Sequence, residues 1–383
     1  MKDNRRDFIK KSTSLAAAVS IGSIASSIAN PLLLKEGRSG SGVSNLAKDA
    51  GMQASEAYFS GMNERKIALL KQMDVFGAVG GINTKMVALD DAKPYEEKSV
   101  AAVKNAWSKV GLNFNVVEGP PSLGEKTKLG LEGRDEEIAN FITFMKSLSK
   151  AGVDVICYNW MPVISWYRTD KARPGRGGAL VTAFDYEVIK DAPLTPYGVV
   201  TKETLWKNLE YFLKAVIPEA EKVGMKLAMH PDDPQVDSIK GVSRIMTSVE
   251  NFKKLVDLVP SPSNGITMCQ GNFSLMGTDI PSVVKYFGKR KLIHFVHFRN
   301  VQDLSGKKPS TKFTETFHDE GQIDMYAAMK AYYDIGFKGP IRPDHVPTMA
   351  GDSNDFPGYS TIGSLFAWGY IKGLMESVQK RKA

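Results

Sequence analysis

Five histidines carry the clearest chemical signal in this 383-residue chain: His230, His294, His297, His318 and His345, with none in the first 229 residues. Histidine is the commonest metal ligand and a general acid or base near neutral pH. Each of the five lies at or near the end of a short apolar run. His230 opens the turn His230-Pro231-Asp232-Asp233-Pro234 after the run 226–229, and Cys269 ends the run 265–269. The run 292–298 continues into Arg299 and Asn300. Side chains alternate along a strand, so His297 and Arg299 share one face and His294 takes the other. His297, nearer the strand end, is the predicted ligand; His294 is predicted to be structural. The run 339–342 leads into Pro343-Asp344-His345. A lone cysteine reads first as a small buried apolar residue. Together, though, His230, Cys269, His297 and Asp344 offer two nitrogens, one sulfur and one oxygen from four separate runs. Such a set can hold a divalent ion and leave positions open for substrate oxygens.

The elements that must position these groups follow from the apolar runs. Eight candidate strands are 75–82, 113–117, 153–160, 226–229, 265–269, 292–298, 311–317 and 339–342. Amphipathic stretches fill most gaps, at 97–110, 135–151, 202–223, 243–258, 281–288, 324–335 and 359–379. Near-continuous apolar strands alternating with helices imply a parallel sheet covered on both faces. Eight such units fit a closed (β/α)8 barrel, whose chemistry sits at the C-terminal ends of the strands. An open dinucleotide-binding sheet is disfavoured, because no G-x-G-x-x-G turn follows the first strand. The cluster Gly77, Gly80 and Gly81 reads as a close backbone approach or a tight exit turn.

Residues 1–29 read as a twin-arginine export signal. Arg5-Arg6-Asp7-Phe8-Ile9-Lys10 precedes a weakly apolar stretch that ends in the small residues Ser27 and Ala29. This implies a periplasmic mature protein with no membrane anchor once the signal is removed. The segment carries five Lys/Arg and two Asp, so +5 of the formal +8 remains after its loss. A mildly basic chain without arginine–aromatic stripes needs no nucleic-acid partner. Two cysteines, Cys157 and Cys269, exclude a disulfide scaffold and a four-cysteine zinc site. Residues 30–65 read as a flexible linker around Gly37–Gly42, which leaves 66–383 as one catalytic barrel.

Several segments together resemble the mannonate dehydratase family, a xylose-isomerase-like TIM barrel. They are Cys157–Val163, Trp166–Asp170, His230–Pro234, Asn264–Cys269, His294–Val301, Glu315–Met325, Arg342–His345 and Gly358-Tyr359, in order across residues 66–378. The resemblance implies a lyase that removes water from D-mannonate, or a related sugar acid, to give a 2-keto-3-deoxy aldonate. It places the metal ligands on His230, Cys269, His297 and Asp344, with Mn2+ as the usual ion and Fe2+, Co2+ or Zn2+ as alternatives. It puts acid/base chemistry on His345 and Tyr359, and substrate contacts on Asn159, Arg168, Arg299 and His318. The sequence departs from the family pattern at Ser165, Val346, Ser360 and the loop after Glu118. Two other readings stand beside the dehydratase: a metal-dependent sugar isomerase, epimerase or β-eliminating lyase on an oxidised sugar, and a non-catalytic sugar-binding barrel. Whether the chain forms a homo-oligomer is left open by the sequence.

Overall fold

The computed structural model describes residues 48–381; the predicted signal and residues 30–47 of the predicted linker lie outside the described residues. Eight parallel strands close into a barrel. They are β1 (Gln53–Ala57), β2 (Gly77–Gly80), β3 (Asn113–Glu118), β4 (Val155–Tyr158), β5 (Lys226–Met229), β6 (Asn264–Cys269), β7 (Ile293–Phe298) and β8 (Pro340–Pro343). Each pairs with its sequence neighbour in the set, and β1 closes the ring between β2 and β8. Around them run α1 (Glu64–Gln72), α2 (Glu97–Lys109), α3 (Arg134–Lys150), α4 (Lys202–Lys222), α5 (Val249–Leu258), α6 (Ile280–Lys289), α7 (Met325–Asp334) and α8 (Thr361–Lys380).

The helices start where the sequence offers an acceptor for the free N–H groups of a first turn. Thr201 caps α4, Ser248 caps α5, Asp279 caps α6 and Asp324 caps α7, each accepting from the N–H three residues on. Such caps are worth about 1 kcal/mol each. Leu205, Leu209, Phe212, Val216 and Ala220 of α4 recur at helical spacing and are buried against the strands. No helix among the described residues is long and apolar enough to cross a membrane.

Two of the apolar clusters among the described residues belong to the barrel, and a third lies with the antiparallel strands, around Phe184, Val301 and Phe313. One large cluster fills the space between strands and helices. A smaller one lies within the ring: Val79, Val116, Val155, Cys157, Ala228 and Phe295. Positions two further along a strand keep the same face. Hence Glu118 after Val116, and His297 after Phe295, also point inward, at the C-terminal mouth. Gly77 allows β2 to approach β1 closely, because a Cβ there would lie 2.7 Å from the Ala54 carbonyl oxygen.

The structure corrects two strands and one boundary. Gln53–Ala57 is β1, so the barrel begins inside the segment read as linker, and α1 follows at Glu64. Its sequence, Gln-Ala-Ser-Glu-Ala, has no β-branched or aromatic residue to betray a strand. Small residues suit it because it is enclosed on both edges. Conversely, the run 311–317 is not a barrel strand. Lys312–Glu315 joins Val301–Asp303, Leu180–Asp185 and Asp170–Pro174 in a four-stranded antiparallel sheet. Its alternating burial, with Phe313 in and Lys312 out, is the pattern of a one-sided antiparallel strand. The predicted metal donors therefore come from four adjacent strands, β5 to β8, rather than from a spaced set.

Candidate active site

The C-terminal mouth holds a cavity of about 230 Å³. His230, His297, Asp344, His345, Tyr359 and Asn159 all line it, joined by Glu118, Arg342, Asp233 and Trp166. Cys269 ends β6 beside them, fully buried.

Four donor atoms converge there. His230 Nε2 lies 3.1 Å from His297 Nδ1. Asp344 Oδ2 lies 3.6 Å from that same Nδ1 and 3.8 Å from Cys269 Sγ. Ligating atoms of His230, Cys269 and His297 all fall within 4.8 Å of one another. The ring partners also fit ligation. His230 Nδ1 lies 2.7 Å from the Pro231 carbonyl, to which it can only donate, so Nε2 keeps its lone pair. His297 Nε2 faces Glu118 Oε2 at 3.4 Å, which frees Nδ1 for the cluster. Burial pushes the His230 imidazole down to about 3, so it is neutral. At His297 burial and Arg342 both oppose a positive charge, yet Glu118 and Asp344 outweigh them and hold it well above the ordinary value. The pocket thus draws a cation onto these atoms. Two imidazoles, a thiol and a carboxylate from adjacent strands could hold a divalent metal. His294 turns the other way, against Gly265, and burial with Lys226 nearby pushes it down to about 3. Strand alternation therefore separates the two histidines as read.

His345 leaves the β8 line. The strand ends at Pro343, and His345 sits at φ 48°, which turns its ring to the cavity beside Asp344 rather than behind it. Its ring packs against Trp166 at 5.4 Å and against Tyr359 at 5.6 Å. Nδ1 meets Glu315 Oε1 at 3.1 Å and contacts Arg299 Nη1 closely. Nε2 lies 3.7 Å from Asp344 Oδ1. Tyr359 precedes α8 and donates its hydroxyl to Asp344 Oδ1 at 3.3 Å. Burial, reinforced by Asp344, holds its phenol well above the usual value, so it carries its proton at neutral pH. The pair can supply one proton acceptor and one proton donor to a molecule in the cavity.

Three predicted substrate contacts are placed elsewhere. Arg168 makes two hydrogen bonds to Asp233, at 2.5 and 3.0 Å, and one to Glu315 at 2.6 Å. Arg299 binds Asp233, Asp344 and Asn272 at 2.7–3.2 Å. Both guanidiniums are fully buried and neither lines the cavity. They are committed to carboxylates of the protein, a consequence of packing two arginines among Asp233, Glu315 and Asp344. His318 is also fully buried away from the cavity, and burial pushes it down to about 4. Of the predicted set, only Asn159 faces the cavity.

Several residues went unassigned in the sequence. Glu118 binds Arg342 through both carboxylate oxygens, at 3.0 and 3.2 Å, besides facing His297. Its place two residues after an inward Val116 was a usable signal. Asp233, in the proline-bounded turn after β5, anchors both arginines. Glu315 arrives on the antiparallel sheet, which no barrel pattern reveals.

The family described as D-mannonate dehydratase (UxuA) matches residues 52–197 and 189–383, so its match begins just ahead of β1. The chain is 33% identical over 355 residues to mannonate dehydratase 2 of Halalkalibacterium halodurans, covering 85% of this chain and 99% of that one. The crystal structure of mannonate dehydratase from Streptococcus suis serotype 2 matches at a TM-score of 0.76 and 31% identity, covering 86% and 94% of the two chains. A xylose isomerase domain protein from Planctomyces limnophilus, 11% identical at a TM-score of 0.53 over 86% and 98% of the chains, shares the fold alone. A match running from β1 to the end of the chain, with identity above 30% over most of it, means that the chain belongs to the D-mannonate dehydratase family.

Proposed function

We propose that this protein is a metal-dependent hydro-lyase that takes D-mannonate, or a closely related aldonate, to a 2-keto-3-deoxy aldonate. The observation that carries it is the convergence of His230, His297 and Asp344, with Cys269 against them, on the cavity that His345 and Tyr359 also line, in a chain of this family. His230, Cys269, His297 and Asp344 are the proposed ligands, with Mn2+ the proposed ion. A divalent cation held there supplies Lewis acidity to the negative charge that grows on the carboxylate as the α-proton leaves.

The protein's own groups handle the protons. His345 takes the C2 proton through Nε2, which keeps its lone pair when Nδ1 carries the ring proton and donates it to Glu315 Oε1. Tyr359 is the acid: its raised phenol keeps the proton until the 3-hydroxyl departs. The C3–O bond breaks, the phenolic proton completes a water molecule, and the resulting enol becomes the 2-keto product by losing its 2-hydroxyl proton and gaining one at C3, while the proton held by His345 restores the Tyr359 phenol by way of solvent. The separate test of the whole reading uses manganese-loaded protein and a panel of aldonates. A 2-keto-3-deoxy product from D-mannonate is expected. Turnover of an aldonate or ketose without loss of water replaces dehydration by isomerisation, and binding without turnover of any member replaces it by a sugar-binding role.

A further inference from the structure

A sugar acid brings a carboxylate, and the two arginines expected to greet it are committed to Asp233, Glu315 and Asp344. The positive pole lies elsewhere. Lys128 sits on the short helix Glu125–Leu129 that follows β3 and is 8% exposed. Its Nζ donates to Asn159 Oδ1 at 3.1 Å. The Met161 backbone N–H donates to the same oxygen, also at 3.1 Å. Asn208 Nδ2 in turn donates to the Lys128 carbonyl at 3.1 Å and fixes the helix against α4. With an ammonium and an amide N–H both on Oδ1, the Asn159 side chain has one acceptable orientation, since a flip would set NH2 against two donors. Nδ2 is then the end left for the cavity that Asn159 lines. Lys128 makes no ion pair within 4 Å among the described residues. A buried ammonium held by a neutral oxygen is costly for structure alone, and an arriving carboxylate offsets that cost.

We propose that Asn159 and Lys128 form the substrate-carboxylate subsite: Asn159 Nδ2 donates to a carboxylate oxygen, and Lys128 is the positioning residue that fixes the amide and puts a positive charge behind it. The inference rests on the sugar-acid reading above. It also accounts for selection of an acid over its neutral polyol without a free arginine. Burial pushes the Lys128 ammonium down to about 8, against the pull of Glu125, Asp232 and Glu137 and with the push of Arg244. The charge behind Asn159 is therefore present at pH 7 and fades as pH rises through 8.

The test is equilibrium binding by calorimetry to manganese-loaded protein. The probes are 3-deoxy-D-mannonate, which has no 3-hydroxyl to lose, and its neutral counterpart 3-deoxy-D-mannitol. Wild-type protein is expected to prefer the acid, and to lose about tenfold of that preference between pH 7 and pH 9. Lys128→Met should weaken the acid about tenfold, leave the polyol unchanged and abolish the pH effect, with unchanged metal content. Lys128→Gln, which keeps a donor toward Asn159 without the charge, is the second variant and should also lose the pH effect. Because Lys128 acts through Asn159, Lys128→Met made on Asn159→Ala should add less than about twofold. A Lys128 variant with wild-type preference for the acid, or two effects that simply multiply, overturns the subsite. A wild-type protein that yields no keto product but prefers the acid, with that preference reduced in Lys128→Met, overturns the dehydratase reading and supports the subsite.

Discussion

Glu118→Gln is the sharpest test of how the proposed metal donors are held. The substitution keeps the shape of the side chain and removes one charge. In the wild type, Glu118 Oε2 sits 3.4 Å from His297 Nε2, while both its oxygens bind Arg342 at 3.0 and 3.2 Å. A carboxylate behind a ligating imidazole fixes the ring and raises its basicity, and losing such a partner weakens metal binding by about 10–100-fold, or about 1.4–2.7 kcal/mol. A second cost falls on Arg342, whose side chain is 1% exposed. Breaking a buried pair costs about 3–5 kcal/mol. Here Arg342 keeps Asp344 at 2.8 Å and Glu118 opens to the cavity, so about 1–3 kcal/mol is the working figure. Chelator competition measures the first effect, and thermal melting of the metal-free protein measures the second. Glu118→Gln should lose metal to the chelator at least tenfold more readily and melt a few degrees lower. Wild-type metal affinity in this variant, with the fold intact, would refute the claim that Glu118 orients His297.

Tyr359→Phe and His345→Asn should each retain metal and lose about 100-fold or more in kcat, the scale of general acid–base catalysis. Deuterium exchange at the substrate α-carbon separates them: it should stop in His345→Asn and persist in Tyr359→Phe, and a rise in KM alone would reduce both to rim residues. Cys269→Ser, Asp344→Asn and His297→Gln should sharply lower metal occupancy by elemental analysis, whereas His294→Gln should leave it near wild type; equal losses at both histidines would overturn the strand-face assignment. Changing Arg5 and Arg6 to Lys should hold the protein in the cytoplasm by fractionation and immunoblot, and wild-type protein found there with residues 1–29 attached would remove the export signal.

The proposed metal donors were legible because each obeys a local rule. His230, Cys269 and Asp344 stand where apolar runs stop, and His297 follows from period-two alternation that Phe295 and His297 keep on one inward face. The fold was legible for a related reason: buried parallel strands such as Asn264–Cys269 are apolar on both faces and contrast with their helices. Its two errors trace to strands without that contrast. Gln53–Ala57 is a barrel strand built from small and polar residues. Lys312–Glu315 is an alternating strand that serves a different sheet.

The arginines show why charge is harder to read than donors. Arg168 and Arg299 are the residue type that matches a carboxylate, and a sequence cannot say whose carboxylate. In the fold, Asp233 comes from the loop after β5, Glu315 from the antiparallel sheet and Asp344 from the end of β8, and all three reach the two guanidiniums first. A cation buried on 0% exposed side chains cannot leave such partners for a substrate without uncovering their charges. The arginines instead brace the wall that carries His345, through Glu315 on Nδ1 and Asp344 beside it. That bracing explains how a histidine at φ 48°, on a stretch of chain with no strand partner, can hold one orientation. It also fits the proposed subsite, in which the one group of Asn159 without a protein partner among the described residues, Nδ2, meets the substrate.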